Sequence, residues 1–554
     1  MIALPVFVIR YVARPLGLFE MLDFPIIRLY SKSMFFNAEK KHLHLALAII
    51  LVGMLFRLIY AGLFPLVPDE TNYWQWSRHP ALGYHDQAPL IAWTIRLSTL
   101  LMGHTETAVR LPSVLALTIA SFYMVLMAWR WFGERAALNT AILTQGVFAF
   151  TLGGLLATAD GLQAMAWSGA CYHVARAYER HGWFDWLSGG IWFGIGMLSK
   201  YTMVLFLPSA YIYGLLSATH RPRLAHWKPY IGVMLGGLMF SPVIIWNAQN
   251  NWNSVRHVAY IGGANEAFRI HWNFFGDYWG SQAALLTPLI FILCLMAWYA
   301  VIRKRPGADS WIARYLFFTS FTMFAGFALL SFHSRVYGNW PMAGYITACV
   351  LAAALYGPGM DSKGAPRKAA RLWPWAVGSA YFITVVILVQ VVWPFLPLPA
   401  SLDRAADETL GWRQLGNEIS STVSQMPDPE NTFIFGVKYQ TASELAFYTP
   451  GNPHTVSINR WDRPNVYDYW WQDGDLIGHS AVGVTEYPNS HTSQLNQVFE
   501  KVLPPIPKKI YRTPRSNDYS DQERPFKIWY IYRAFGFKGG LRWIPPDKSD
   551  VRAQ

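Results

Sequence analysis

The sequence predicts a polytopic α-helical membrane protein that carries a C-terminal α/β domain outside the bilayer. Three observations predict it. Of 554 residues, 53% are hydrophobic and only 14% charged, against about a quarter charged in ordinary soluble domains. Apolar runs long enough to cross a hydrocarbon core of about 30 Å recur between Leu45 and Phe395 and then stop. The formal net charge of +13 is gathered in alternate loops, at Lys40 and Lys41, Arg130 and Arg135, Arg176 and Arg180, Arg221 to Lys228, Arg303 to Arg305, and Lys363 to Arg371. That placement follows the positive-inside rule, so the charge needs no nucleic-acid partner to explain it.

Taken in order, residues 1–44 read as a cytoplasmic amphipathic segment lying on the membrane, because Arg10, Pro15 and Arg28 interrupt its apolar stretches. Residues 45–398 hold eleven expected spans, at 45–64, 109–130, 137–157, 161–178, 184–198, 202–217, 230–247, 281–302, 311–331, 340–356 and 374–395. Several are short, and a count of 11 to 13 is compatible with the pattern. An odd number from a cytoplasmic N-terminus puts residues 399–554 outside. The outer loops are then 65–108, the turns at Thr158 to Gly161 and Ser199 to Thr202, 248–280, and Ser331 to Asn339.

The first of these loops is too long for a plain connector. Its Pro89 to Met102 stretch reads as a helix lying in the interface, and Trp74, Trp76 and Tyr84 suit headgroup depth. After Pro397-Leu-Pro399 the composition changes: Asn431 to Val437 reads as a strand, Thr441 to Phe447 as a short helix, and Phe526 to Tyr532 as further strand. Cys171, Cys294 and Cys349 all fall inside apolar spans, which excludes a disulfide framework and a cysteine-based zinc site.

The outer loops collect nearly all the acids near the spans: Asp69, Glu70, Asp86, Glu106, Asp160, Glu266 and Asp277. Asp69 and Glu70, directly after the first span, read either as residues that start a helix or as carboxylates that accept a proton at the water boundary. Asp86 and Asp160 leave the same choice open. Cations at this level are Lys200, Arg256, His257 and Arg335, each a phosphate ligand or a snorkelling side chain. Arg57, late in the first span, is costly in lipid and is expected to face protein or a cavity.

Several runs, in one order, resemble the GT-C glycosyltransferases of the protein-mannosyltransferase and aminoarabinose-transferase type. They are Pro68-Asp-Glu-Thr-Asn-Tyr-Trp74, Tyr84-His-Asp-Gln-Ala-Pro-Leu90, Arg110-Leu-Pro-Ser113, Thr158-Ala-Asp160, Leu198-Ser-Lys-Tyr201 and Asn339-Trp-Pro341. The bacterial branch that resembles rhizobial lipopolysaccharide galacturonosyltransferases is also similar at Lys438 to Tyr448 and at Arg463 to Trp470. The resemblance implies a GT-C fold in a bacterial inner membrane, with the last domain periplasmic. It also implies inverting transfer of a sugar from polyprenyl (undecaprenyl) phosphate to a cell-envelope glycan, lipid or protein acceptor.

On that resemblance Asp69 matches the catalytic acid, Asp160 the second essential acid and Asp86 the acid of the loop's juxtamembrane segment, while Lys200 and Arg335 hold the donor phosphate; Glu70 is a further candidate catalytic acid, and Arg57, Arg256 and Tyr84 are further candidate phosphate ligands. Asp86, His85, Asn339 and Tyr337 fall to the acceptor side and its loops. Where relatives place a Lys or His followed by Pro, this chain has Gln87-Ala88, and an amide supplies no cation. No cofactor is expected to be obligatory; a divalent metal would draw on Asp86, His257 and His271. The other readings are a transporter or lipid-carrier flippase, and an oligosaccharyltransferase or ligase using a diphosphate-linked glycan.

Overall fold

A computed structural model describes residues 40–264, 267, 269–360, 367–396, 398–399, 402–511 and 525–543. The amphipathic N-terminal segment, Glu266 and the start of the basic run at Lys363 lie outside the described residues. Every expected span meets a helix, but not every helix is a straight span. Among the described residues four are long and apolar enough to cross a membrane: α1 (Lys41–Tyr60), Glu106–Phe132, Trp311–Leu330 and Ala370–Val392. Three more spans arise only if bent pairs are joined, Glu134–Gly146 with Phe148–Leu155 (68°), Lys228–Met239 with Ser241–Gln249 (45°), and Trp272–Leu286 with Pro288–Ile302 (106°).

The expected span at 281–302 therefore straddles a sharp break at Thr287, whose φ is 69° and which is followed by Pro288. Proline has no N–H to continue the preceding helix, and both halves are apolar, so a hydropathy window reads straight through the corner. Helix Ala159–Arg180 is buried almost throughout and carries Gln163, His173 and Arg176, because it packs inside the bundle and meets protein, not lipid. At the periphery, α1 leaves Val52, Leu55 and Ile59 exposed, as a lipid-facing surface requires.

The first long loop folds into two helices, α2 (Pro68–Arg78) and α3 (Leu90–Met102). Pro68 occupies the first helical position, and Glu70 accepts the Val67 N–H at 3.0 Å, so α2 is started by these two residues. A helix forms as α3 where one was expected: Ile91 and Ile95 are buried, while Leu97, Leu100 and Leu101 stand exposed along its other side.

Beyond the helices the chain forms a six-stranded mixed sheet from β1 (Thr432–Gly436), β2 (Thr455–Ser457), β3 (Ser480–Thr485), β4 (Phe499–Val502), β5 (Ile506–Ile510) and β6 (Lys527–Phe537). The strand order is β2-β1-β3-β6-β4, with β5 also on β6; β1 runs parallel to β2 and β3, and β6 antiparallel to its neighbours. Helix Tyr439–Tyr448 of this unit sits on α2. Trp74 meets Phe447 edge to face at 4.9 Å, Gln75 donates to the Tyr467 hydroxyl at 3.1 Å, and Arg78 donates to the carbonyls of Asn452 and Pro453.

Candidate active site

The floor of the site is a buried ion pair. Arg110 Nε and Nη2 donate to the two Glu70 oxygens at 2.8 and 2.6 Å, and neither side chain is exposed. The remaining Arg110 hydrogens go to the carbonyls of Ala61, Phe64 and Pro65, at 2.7, 2.8 and 2.8 Å, while its plane lies over the Phe64 ring. Glu70 also accepts from the Ala157 N–H at 2.8 Å. A bidentate pair with every group satisfied is a rigid joint. It locks the start of α2 to the end of α1, to Glu106–Phe132 and to the turn before Asp160. The expectation of a reacting Glu70 is corrected here: its oxygens face only protein donors.

Asp69 is the opposite case. No hydrogen bond or ion pair engages it among the described residues, and its side chain is accessible although protein encloses it on most sides. That enclosure pushes its pKa up to about 6; Glu408 and Asp86 add to the rise, while Arg404 and Arg463 oppose it. Tyr73 stands four residues on, on the same side of α2. Burial raises its phenol far above the ordinary value, and Asp69, Asp160 and Asp86 raise it further, so it remains a hydrogen-bond donor. Three acids from two outer loops thus act on one hydroxyl.

Asp160, in the first turn of Ala159–Arg180, accepts from Lys200 Nζ at 2.6 Å and from Asn339 Nδ2 at 2.9 Å. Asp160 and Lys200 are nearly buried, 9% and 6% exposed. The Ser199 hydroxyl donates to the Ala159 carbonyl at 2.7 Å and fastens the two turns together. Asn339, expected on the acceptor side, instead joins the cation and the acid.

Asp86 forms a second node. Its Oδ1 lies 3.0 Å from His257 Nε2 and 2.7 Å from Arg463 Nη1. Burial by itself would raise the Asp86 pKa, but the His257 hydrogen bond and the Arg463 charge outweigh it and hold the carboxyl well below its usual range. Burial brings His85 down to about 4 against the pull of Asp86. Ligand atoms of His85, Asp86 and His257 lie within 4.8 Å of one another. Two imidazoles and a carboxylate are a donor set suited to a divalent metal, and Asp86 Oδ2 has no recorded partner among the described residues. His85 enters this group where His271 was expected; His271 is not among these ligand atoms, and its backbone N–H donates to the Phe332 carbonyl at 2.7 Å.

Other expected residues go elsewhere. The Tyr84 hydroxyl reaches the carbonyls of Trp76 and His79 at 2.9 and 3.0 Å and accepts from the Ala81 N–H, and its ring stacks on Trp76, so it is spent on folding the loop and not on a phosphate. Arg57 is 3% exposed and donates to Gln145 at 2.8 Å, so it faces protein; no contact joins it to Asp160 or Lys200 among the described residues. Arg256, Arg335 and Tyr337 are exposed, and neither arginine makes an ion pair among the described residues. Sequence reasoning passed over Tyr73, Arg404, Glu408 and the joint made by Arg110. For Tyr73 the available signal was its four-residue spacing from Asp69; Arg110 and Arg463 stood in runs already singled out.

Residues 86–246 match the family described as dolichyl-phosphate-mannose-protein mannosyltransferase, a stretch that takes in Asp86, Asp160 and Lys200. The chain is similar to the lipid A galacturonosyltransferase RgtD of Rhizobium johnstonii, 26% identical over 295 residues. That alignment covers 52% of this chain and 60% of the relative's length. Among solved structures it is similar to ArnT from Cupriavidus metallidurans, at 16% identity, over 88% of this chain and 97% of that one. The TM-score is 0.56 for the apo state and 0.59 for the state bound to undecaprenyl phosphate. Helices, first-loop geometry and C-terminal sheet unit together give this chain the fold of the GT-C glycosyltransferases.

Proposed function

We propose that this chain transfers a sugar from a polyprenyl-phosphate donor to a lipid A type acceptor of the cell envelope, at the periplasmic face of a bacterial inner membrane. The observation that supports the reading most is the contrast at α2: Glu70 is wholly engaged, while its neighbour Asp69 has no partner among the described residues, is accessible and is shifted to a pKa of about 6. A base needs that combination, a lone pair free to take a proton and a pKa near the working pH. The donor class is that of the lipid bound in the ArnT structure, and the acceptor class is that named for RgtD.

In this mechanism Asp69 takes the proton from an acceptor hydroxyl as its oxygen attacks the anomeric carbon. The bond between that carbon and the phosphate oxygen breaks, and the electron pair leaves with the lipid phosphate. A single displacement inverts the anomeric centre. Charge grows on the departing phosphate, so fixed cations stabilise the transition state more than the ground state. Lys200 serves there, held by Asp160, which Asn339 also bonds, and the exposed Arg335 and Arg256, without an ion pair among the described residues, serve the lipid headgroup. Tyr73, whose phenol burial and the nearby acids hold protonated, can donate a hydrogen bond beside Asp69. A divalent metal held by His85, Asp86 and His257 would add positive charge beside the first loop. Nothing in these contacts favours a transporter or a diphosphate-glycan ligase.

The test is Asp69→Asn in native membranes, with folding checked by thermal unfolding and transfer followed by mass spectrometry of the acceptor lipid. The expected loss is about 10²- to 10⁴-fold, the usual contribution of a general base. Near-normal transfer by a folded Asp69→Asn protein overturns the proposal.

A further inference from the structure

A cavity of about 320 Å³ lies in the C-terminal unit and reaches Pro68 at the start of α2. Its position follows from the order of the strands. β1 and β3 are parallel neighbours. From β1 the chain passes through helix Tyr439–Tyr448 to β2 on one side; from β3 it passes through Pro488–Val498 to β4, which lies on the other side. Adjacent parallel strands whose connections diverge leave a crevice outside their carboxyl ends, where ligands of open α/β sheets bind. The cavity occupies that crevice: Val437 and Lys438, just after β1, face Thr485 and Glu486, at the end of β3.

The lining suits a polyhydroxylated ring. Trp412 and Trp529 stand together, ring centroids 4.7 Å apart, and supply an aromatic wall. Two lining residues hold buried polar atoms that no group satisfies among the described residues, the Trp529 Nε1 donor and the Gln440 Oε1 acceptor. Buried polar atoms are nearly always paired, so a donor and an acceptor both left open beside one cavity point to a ligand or water that completes them. Lys527 is already neutralised by Glu486 and Asp407, whereas Lys438 makes no recorded ion pair among the described residues. The volume lies at the small end of ordinary ligand pockets, about 300–1,000 Å³.

The crevice also touches the catalytic helix. Pro68, the residue before Asp69, lines it, and so does Glu408, the charge that raises the Asp69 pKa most after burial. We infer that this crevice is the saccharide subsite for the acceptor: it seats a sugar ring of the acceptor glycan on Trp412 and Trp529, with Gln440, the Trp529 indole N–H and Lys438 bonding its hydroxyls or an attached phosphate. This rests on the transferase reading above for the word acceptor, but binding itself does not depend on Asp69.

The experiment uses the full-length protein in lipid nanodiscs and the de-acylated glucosamine disaccharide backbone of lipid A as probe, with binding followed by calorimetry. Wild type and Asp69→Asn are expected to bind it alike. Lys438→Ala combined with Gln440→Ala should weaken binding at least tenfold at an unchanged unfolding temperature. Trp529→Phe, which keeps a ring but removes the N–H, should weaken it severalfold and covers the case in which the double variant does not fold. No saturable binding by the wild type, or equal affinity in these variants, overturns the inference. Normal transfer by Asp69→Asn, with probe binding still lost in the double variant, would remove the catalytic assignment and leave the crevice as a saccharide site.

Discussion

Asp69 has two neighbours of opposite sign on one short helix, Arg404 and Glu408 of Arg404–Thr409, and they make its ionisation adjustable. With the pKa raised from 3.8 to about 6, the carboxyl is half protonated near pH 6 and only its anion can take a proton. The rate, as kcat/KM, should therefore rise with pH and level off above an inflection near 6. Glu408→Gln removes a negative charge that raises the pKa, so the inflection should move to lower pH. Arg404→Gln removes a positive charge that lowers it, so the inflection should move up. Opposite displacements in membrane assays across pH 4.5 to 8 check both signs at once; equal profiles would detach the pH dependence from Asp69. The node at Asp86 permits a separate test. Arg463 already places a positive charge 2.7 Å from Asp86 Oδ1, so dialysis against a chelator should leave transfer within about twofold, while Arg463→Ala should make the residual activity sensitive to chelation.

At the scale of elements, two buried glutamates make contrasting predictions. Glu70 is paired with Arg110 on both oxygens, and removing one partner of such a pair strands a buried charge, at a cost of about 3–5 kcal/mol. Glu70→Ala should fail to accumulate or unfold at much lower temperature, and Arg110→Ala likewise. Glu444, on the helix that sits on α2, is fully buried with both oxygens unpaired among the described residues; nearby Thr71 spends its proton on the Pro68 carbonyl at 3.1 Å. Burial first, and Glu70 next, raise the Glu444 pKa well above its ordinary 4.5. An acid raised on folding lends stability below its unfolded pKa and loses it as pH climbs toward the folded value. Glu444→Met should therefore raise the Tm, and raise it more at pH 7 than at pH 5, as differential scanning would record. None of this contrast is legible in the sequence, where both are single glutamates in polar surroundings and their partners come from distant segments. The helices were legible, because apolar runs are local. The corner at Thr287-Pro288 was not, since both arms are apolar, and β6 runs to Phe537 instead of stopping at Tyr532 because β3, β4 and β5 pair along it from both edges. Asp69, Asp160 and Lys200 could be named from their places at loop ends; that Asn339 joins Asp160, or Arg463 joins Asp86, depends on contacts across 179 and 377 residues.

The whole molecule sorts its contacts by end. Loops expected on the outer side meet one another, as in Glu70 with Ala157, Asp160 with Asn339, and Asp86 with His257. Loops expected on the inner side also meet: Arg130 pairs with Glu179, Arg135 donates to the Gly359 carbonyl, and Lys228 donates to the His181 carbonyl. Chain segments far apart in sequence thus separate into two ends of one helical body, with the sheet unit resting on the first. Lipid admits no backbone between those ends except as helix, so the two sets of loops belong to opposite sides of a membrane. On the positive-inside rule we propose that the basic end lies in the cytoplasm and that α2, with the sheet, lies in the periplasm. Surface labelling with a membrane-impermeant maleimide tests the assignment directly. The native Cys171, Cys294 and Cys349 are all buried, so background labelling of the folded protein should be low. Glu430→Cys, exposed just before β1, should label in intact cells once the outer membrane is made permeable. Arg303→Cys, exposed at the basic end, should label only after the inner membrane is opened. The reverse pattern would turn the protein over and put Asp69 out of reach of any periplasmic acceptor, whatever the geometry of its pocket.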